Sequence, residues 1–342
     1  MPVINIFGWH SHFGENYRPS AMKVFVDPIR QYHKVRTIPL GGSSYNNFDY
    51  NSLKEEPIVF FAMHPPAQLL GDNNFNITWV PMYDDVKWNR LSFWKKLSKS
   101  TKIIAYSKWI SNLTIGLEFK TMRVKYFENP NSLKSASWDN GHNIFYWNRS
   151  GLLNKEQLKT MCDTLNAKTL IFRDHLDYYS HKKQKIILKN KIGNTDVINL
   201  DMCPNSEEYM DHLSRCNIFI APRLYEGIGL TFLEAMASGM VVLSPNSPTM
   251  NEYIQNNING VFLPYSKLCR HYNRFVTKLS NKSGISFPII SVLPTYYNFN
   301  KLINLPLEKI GDNARKTHIE GYRKWVDTLP GIVDFILSEN HH

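Results

Sequence analysis

The sequence predicts an α/β protein built from two Rossmann-like domains with parallel sheets and a cleft between them. Three observations lead there. Short apolar strands alternate with helical patterns along the chain, the order that produces parallel sheets covered on both faces. The chain has 342 residues, 43% of them hydrophobic and 13% aromatic, more than one hydrophobic core usually organises. Near its middle, Asn129–Gly141 gathers Asn, Pro, Ser and Gly, the composition of a linker.

In the first half, strands are expected at Val3–Phe7, Val35–Ile38, Ile58–Ala62, Ile77–Val80, Ile103–Ala105 and Val124–Phe127, and helices at Pro19–Gln31, Val86–Ser98 and Lys108–Leu117. After the linker come strand Asn143–Trp147, helix Lys155–Asn166, strands Thr169–Phe172 and Val197–Leu200, helix Ser206–Arg215 and strand Asn217–Ile220. A helix starts near Gly229, followed by the apolar strand Met240–Leu243. Beyond Leu263 the pattern weakens, with helices at Tyr265–Asn281 and Leu307–Asp327. The expected division is 1–135, 136–305 and a C-terminal helical segment 306–342.

The most informative stretch runs from Ala221 to Gly239. The buried strand Asn217–Ile220 is stopped by Pro222 and turned by Gly227 and Gly229 into a helix carrying Glu234. The first amides of that helix, from Gly229 to Phe232, have no intrahelical acceptor, and the positive end of the dipole is there, so a diphosphate fits. Glycine permits close approach. Glu226 and Glu234 are eight residues apart, up to ~12 Å along a helix, so they cannot serve one atom together. Glu226 in the turn can face a sugar, and Glu234, two turns in, can accept from ribose hydroxyls. The competing reading makes Glu234 a solvated helix carboxylate and Glu226 a charge complementing the dipole.

The run Asp211–Leu263, with its Glu-x7-Glu pair, Ala-Met-Ala-Ser-Gly helix end, strand Met240–Leu243 and Asn259-Gly260-Val261-Phe262, resembles the donor-binding domain of retaining GT-B glycosyltransferases of family four. The resemblance implies that Glu226 contacts the transferred sugar on its reacting face, that Glu234 binds the nucleoside ribose, and that the backbone at Gly227, Ile228, Gly229, Leu230 and Thr231 holds the diphosphate. It also implies that the last helices cross back onto the first domain. Family members open this domain with an Arg and a Lys that clamp the diphosphate. Arg149 and Lys155 occupy similar places, one residue further apart than the commonest family spacing. A planar guanidinium and a mobile ammonium can neutralise a leaving diphosphate without a metal.

The acceptor is expected on the first domain, beyond the carboxyl ends of its strands. The loop after the first strand supplies His10, His12, Tyr17 and Arg18, with Gly14 where the family carries a Gly-Gly-rich donor loop. His64 follows Ile58–Ala62 and is either a residue near the donor sugar or a packing histidine. In this family the leaving diphosphate itself is argued to take the acceptor proton.

Asp84-Asp85 tempts a metal reading, but adjacent aspartates on an extended segment point opposite ways, and no Asp-x-Asp occurs in the chain. Asp84 is instead a helix cap or an acceptor contact. Asp174, His175, Asp177 and His181 are unlike a zinc ligand set, and no metal or other cofactor is expected. The four cysteines lack zinc-like or C-x-x-C spacing and read as reduced structural thiols of a cytoplasmic protein. No apolar run approaches the eighteen residues of a membrane span, and no basic region precedes the first strand as in a secretory signal.

The formal charge of +11 calls for anionic partners. Residues 86–102 interleave Lys and Arg with Trp88, Phe93 and Trp94. They form either an amphipathic helix lying on an anionic membrane or a helix packed on the sheet with lysines in water. No nucleic-acid recognition motif is present, and nucleic acid is not an expected partner. The expectation is a metal-independent, retaining transferase that moves a sugar from a UDP-sugar, ahead of a GDP-sugar, to a glycan or lipid-linked acceptor in cell-surface polysaccharide assembly. The alternatives are a GT-B sugar-nucleotide epimerase and a non-catalytic carbohydrate or nucleic-acid binding protein on the same scaffold.

Overall fold

The computed structural model describes residues 2–13, 22–41, 44–87, 89–149, 152–174, 186–200, 206–263 and 299–339, except for the side chains of His12 and Ser206. The chain divides into two compact units, 1–127 with 321–342, and 128–320.

The first unit is a six-stranded parallel sheet in the order β2-β1-β3-β4-β5-β6. Its strands are β1 (Ile4–Trp9), β2 (Val35–Leu40), β3 (Ile58–Phe61), β4 (Ile77–Val80), β5 (Lys102–Ala105) and β6 (Thr121–Arg123). β3, β4 and β5 are buried throughout, which is why, apart from Thr78 and Lys102, their sequences are apolar. Phe7 stacks on Phe60 with ring centroids 5.3 Å apart, and Trp79 lies 5.1 Å from Trp94.

Expectations for this unit are corrected at two elements. The last strand is Thr121–Arg123 rather than Val124–Phe127. The apolar residues that follow pack on the long C-terminal helix instead of the sheet: Tyr126 meets Trp325 edge-on at 5.5 Å, and the Phe127 ring occupies the place where Gly321 lacks a side chain. The helix expected over Val86–Ser98 is broken into two single turns, Tyr83–Val86 and Leu91–Trp94, with Arg90 extended between them. Trp94 is fully buried, so the residues of 86–102 do not form one amphipathic face; Trp88 lies outside the described residues. Of Pro19–Gln31, the described part is helical as expected: a π-helical turn Met22–Val26 runs directly into the α-helical turn Asp27–Arg30, with Pro28 near its start.

Lys102 lies within β5 and is fully buried, yet its ammonium is not isolated. Lys102 Nζ donates to the carbonyls of Ile336 and Ser338, 2.6 Å each, at the C-terminal end of the long helix. Burial, and then the charge of Lys120, push its pKa down to about 7.

The second unit is a seven-stranded sheet in the order β13-β12-β11-β7-β8-β10-β9. It contains β7 (Asn143–Asn148), β8 (Thr169–Asp174), β9 (Lys191–Ile192), β10 (Thr195–Leu200), β11 (Ile218–Ile220), β12 (Val241–Ser244) and β13 (Val261–Phe262). Every pairing is parallel except that of β9, a short antiparallel edge that the sequence did not announce. One face packs Ile144, Tyr146, Leu170, Phe172, Ile218, Ile220, Val241 and Leu243 with residues of helix Lys155–Thr164 and the start of the long helix. On the other face Phe145 stacks on Phe219 at 5.8 Å and meets Tyr209 of helix Ser206–Ser214 edge-on.

The stretch Asn129–Gly141 is fastened down rather than free. Buried Asn217 at the foot of β11 donates through Nδ2 to the carbonyls of Ser137 and Gly141 and accepts from Asn143 N, while Ala136 N bonds to Ser238 O at 2.7 Å. Cys162 and Cys216 are buried free thiols whose pKa values are raised by burial, that of Cys162 to about 12; Cys203 and Cys269 lie outside the described residues. So does the helix expected over Tyr265–Asn281.

The long helix runs Leu307–Leu337, past the expected end at Asp327 and through Pro330. Leu329, Ile332, Val333 and Ile336 are all buried, and that packing outweighs the local breaker. His318 on this helix is fully buried and donates through Nε2 to Glu128 O at 2.8 Å. Burial lowers its pKa to about 4. The folded chain therefore keeps His318 neutral at pH values where the unfolded chain protonates it, and stability falls as pH drops from 6.5 towards 4. The expected loss is roughly 3 kcal/mol at the lower end. Urea unfolding as a function of pH checks this: His318→Gln should flatten that part of the acid slope, and an unchanged slope refutes the assignment.

Candidate functional site

In an open parallel sheet, ligands bind beyond the carboxyl ends of the strands where successive crossovers leave in opposite directions. In the second unit that point falls between β7 and β11, because the chain proceeds from β7 to β8 and β10 on one side and from β11 to β12 and β13 on the other. Arg149 is the first residue after β7, and Ala221–Gly229 is the loop after β11. The order of strands thus brings Arg149 and the glutamate-bearing turn to adjacent strand ends.

Gly229 ends the turn in the left-handed region, with φ +84° and ψ +52°, and helix Leu230–Ala237 follows. A Cβ at this position would lie 2.0 Å from Cε1 of Phe232, so only glycine fits. Leu233 N bonds back to Gly229 O at 3.2 Å, and the preceding amides of the first turn fall outside the intrahelical pattern. The neighbouring crossover braces the turn: Ser247 Oγ donates to Leu224 O at 2.5 Å, Glu226 N to Pro248 O at 3.2 Å and Thr249 Oγ1 to Ile228 O at 3.3 Å.

Both glutamates are buried, Glu226 with 5% and Glu234 with 3% of its surface exposed. Glu234 is therefore not a solvated helix carboxylate. Glu226 Oε2 sits 3.6 Å from Nη1 of Arg223, an ion pair with both side chains largely out of water. Burial also raises the pKa of Tyr225 to about 12, so its hydroxyl keeps its proton at neutral pH. Gly227 and Ile228 are buried, while Leu230 and Thr231 are partly exposed.

Arg149 lies over the ring of Trp147, its guanidinium carbon 4.6 Å from the centroid. Arg173, near the end of β8 and paired in register with Trp147, lies 4.1 Å from the same ring. The alternate residues form a polar set beneath: Tyr146 Oη donates to Asn148 Oδ1 and accepts from Leu153 N, and Asn148 Nδ2 donates to Asp174 Oδ1 at 2.8 Å. Lys155 is exposed at the first turn of helix Lys155–Thr164, behind a capping box in which Asn154 and Gln157 exchange bonds.

In the first unit the switch point lies between β1 and β3. His10 follows β1 and is exposed, beside Trp9, whose ring is 5.9 Å from that of Tyr45. Tyr45 Oη donates to the carbonyl of His64, the third residue after β3. His64 is half-buried against Trp79 and Phe93, and its Nε2 is 3.0 Å from Asn89 Nδ2. Burial lowers its pKa, so it is neutral near pH 7. Asp84 follows β4 within the short turn Tyr83–Val86. Gly14, Tyr17, Arg18 and the side chain of His12 lie outside the described residues.

Sequence reasoning missed Arg223, Trp147, Arg173 and the bracing pair Ser247 and Thr249. Arg223 carried a local signal, three residues before Glu226, whereas the meeting of Trp147 with Arg173 depends on a strand pairing across 26 residues that no local pattern shows. Among the described residues no three of His, Cys, Asp and Glu gather as metal ligands would, and no helix is long and apolar enough to cross a membrane. A groove of about 690 Å³ lined by Trp138, His142, Leu165 and Leu305 lies at the amino-terminal edge of the second sheet, away from Glu226.

Residues 180–279 match the family model described as glycosyl transferases group 1. A sucrose synthase of Melioribacter roseus is 37% identical over 113 residues, which cover 31% of this chain and 14% of that protein. This chain therefore matches a small part of the longer curated relative. The structure of Anabaena HepE in complex with UDP and glucose aligns with a TM-score of 0.55 and 12% identity, covering 97% of this chain and 100% of that one. Sucrose-phosphate synthase of Thermosynechococcus elongatus aligns with a TM-score of 0.59 and 13% identity, covering 97% and 98%. At these identities the likeness is one of fold, and the chain has the α/β GT-B architecture.

Proposed function

We propose that the protein is a retaining, metal-independent glycosyltransferase. In this reading it moves a sugar from a UDP-sugar to a glycan or lipid-linked acceptor, in the assembly of a cell-surface polysaccharide. The observation that carries the reading is the pair of buried carboxylates, one in the turn after β11 and one inside the helix that follows, set beside Arg149 at the switch point of the second sheet. A carboxylate inside the first turns of that helix is placed to accept hydrogen bonds from the hydroxyls of a ribose. The match to group 1 glycosyl transferases covers the turn and helix, and HepE was solved with UDP and glucose.

The roles then follow. The first-turn amides and Arg149 hold the diphosphate, with Lys155 as the mobile second cation, and their charge stabilises it as it leaves. Arg223, 3.6 Å from its carboxylate, orients Glu226 towards the sugar. The bond from the sugar C1 to the diphosphate breaks, and the acceptor oxygen bonds to C1 on the same face. The acceptor proton passes to the departing phosphate oxygen, so His64, neutral and held by Asn89, positions substrate without acting as base. His10 and Asp84, at strand ends of the first sheet, are acceptor contacts. The protein is proposed to work in the cytoplasm.

A thermal-shift panel of UDP- and GDP-sugars, followed by donor hydrolysis assayed with and without EDTA, tests this. A UDP-sugar should raise the unfolding temperature and be hydrolysed equally in both. Stabilisation by neither class, or activity that needs a divalent ion, counts against the reading. Glu234→Ala should weaken donor binding about 10- to 100-fold by calorimetry while leaving turnover at saturating donor within a few-fold, the signature of lost uniform binding.

A further inference from the structure

We propose that Asn89 is a positioning residue that holds the His64 ring so that its Nδ1–H is a fixed hydrogen-bond donor to an oxygen of the sugar substrate. This rests on the transferase reading above and extends it to which ring nitrogen meets the substrate. Asn89 Nδ2 lies 3.0 Å from His64 Nε2. An amide nitrogen can only donate, so Nε2 accepts. A neutral imidazole carries one donor and one acceptor, and with Nε2 accepting, the proton sits on Nδ1. Among the described residues Nδ1 has no hydrogen-bond partner.

The surroundings of the ring set this orientation. Asn89 is fixed by its own backbone, N to Val86 O at 2.9 Å, just after the turn Tyr83–Val86 that follows β4. Phe93 of the next turn meets the imidazole edge-on at 5.1 Å, and Trp79 of β4 lies 5.5 Å from it, so the ring has aromatic walls. The main chain beneath it is tied twice: Trp79 Nε1 donates to Met63 O at 2.8 Å, and Tyr45 Oη donates to His64 O. Pro65 and Pro66 follow directly and stiffen the exit. His64 is nevertheless only half-buried, beyond the carboxyl end of β3, the strand that borders the switch point of the first sheet. A ring walled by aromatic groups, engaged at one nitrogen and half open to solvent, has its other nitrogen left for a ligand. With Nε2 occupied, it also has no basic nitrogen free to take the acceptor proton.

Long-range proton–nitrogen correlation spectra of the histidine-labelled chain, with His64 assigned by its absence in His64→Gln, test the assignment. Wild type should carry the proton on Nδ1. Asn89→Asp, which offers only acceptors, should move it to Nε2. With the UDP- or GDP-sugar that wild type hydrolyses, Asn89→Asp and Asn89→Leu should each lose about 10-fold in kcat/KM while the unfolding temperature stays within a few degrees. A wild-type proton on Nε2, a proton that stays in place in Asn89→Asp, or hydrolysis undiminished once it has moved overturns the proposal. The wild-type spectrum decides the first of these even if a variant unfolds. Wild type that hydrolyses no nucleotide sugar would instead overturn the transferase reading, whatever the spectrum shows.

Discussion

Glu226→Ala is expected to reduce sugar transfer by about 1,000-fold or more at saturating donor and acceptor, with donor affinity held within a few-fold of wild type. The carboxylate is buried in the turn after β11 and paired with Arg223, so in the proposed role it is a preorganised group beside the reacting carbon. Preorganised charge of that kind acts on the transition state more than on the bound substrate, and removing it lowers turnover rather than binding. The variant also leaves Arg223 without its partner, which should lower stability by about 1–2 kcal/mol, too little to unfold the chain. Glu226→Gln keeps the volume and loses the charge, and it should be nearly as inactive. Product formation by mass spectrometry beside calorimetric donor binding separates the two quantities. Turnover at the wild-type rate in either variant would remove Glu226 from the chemistry.

Gly229→Ala should be among the most destructive single methyl additions in the second unit. The backbone is left-handed there, at φ +84°, which costs an L-residue about 1–2 kcal/mol, and the added carbon would sit 2.0 Å from a ring atom of Phe232. Phe232 cannot swing aside freely, because it is fully buried and packs edge-on against Tyr253 at 5.6 Å. A loss of about 2–4 kcal/mol in unfolding free energy is expected, with donor affinity reduced at least 10-fold because the first turn of the helix must re-aim its amides. Denaturant unfolding measures the first and calorimetry the second. In a Phe232→Ala background the penalty for Gly229→Ala should shrink to about 1 kcal/mol, the part due to the backbone alone. A penalty unchanged in that background would show that the ring contact is not the cause.

Much of this architecture was legible in the chain, for identifiable reasons. β1, β3 to β5, β7, β8, β11 and β12 are short, mainly apolar runs, and burial on both faces of a parallel sheet demands that pattern, whereas β2 and β10 are partly exposed and mix polar residues in. The turn at Gly227 to Gly229 was legible because glycine alone adopts the backbone that the helix start requires. Val124–Phe127 was read as a strand because apolar residues look alike whether a sheet or a helix covers them, and only the distant Trp325 and Gly321 decide. The broken helix at Tyr83–Trp94 failed for the same reason, since Trp94 is drawn into the core against Trp79. The extension through Pro330 is tertiary packing overruling a local signal. In the site, Glu226, Glu234 and Arg149 were accessible from a motif, whereas Arg173 becomes visible only when β8 is laid beside β7.

The bracing of the glutamate turn by Ser247, Pro248 and Thr249 has a consequence for how this chain tolerates change. Positions 247 and 249 touch the turn through their hydroxyls, so a saturation library scored for activity should find them nearly as unforgiving as the acidic residues. A variant hunter selecting for new substrates would do better to leave that strap alone and diversify the exposed rim around His10 and Trp9.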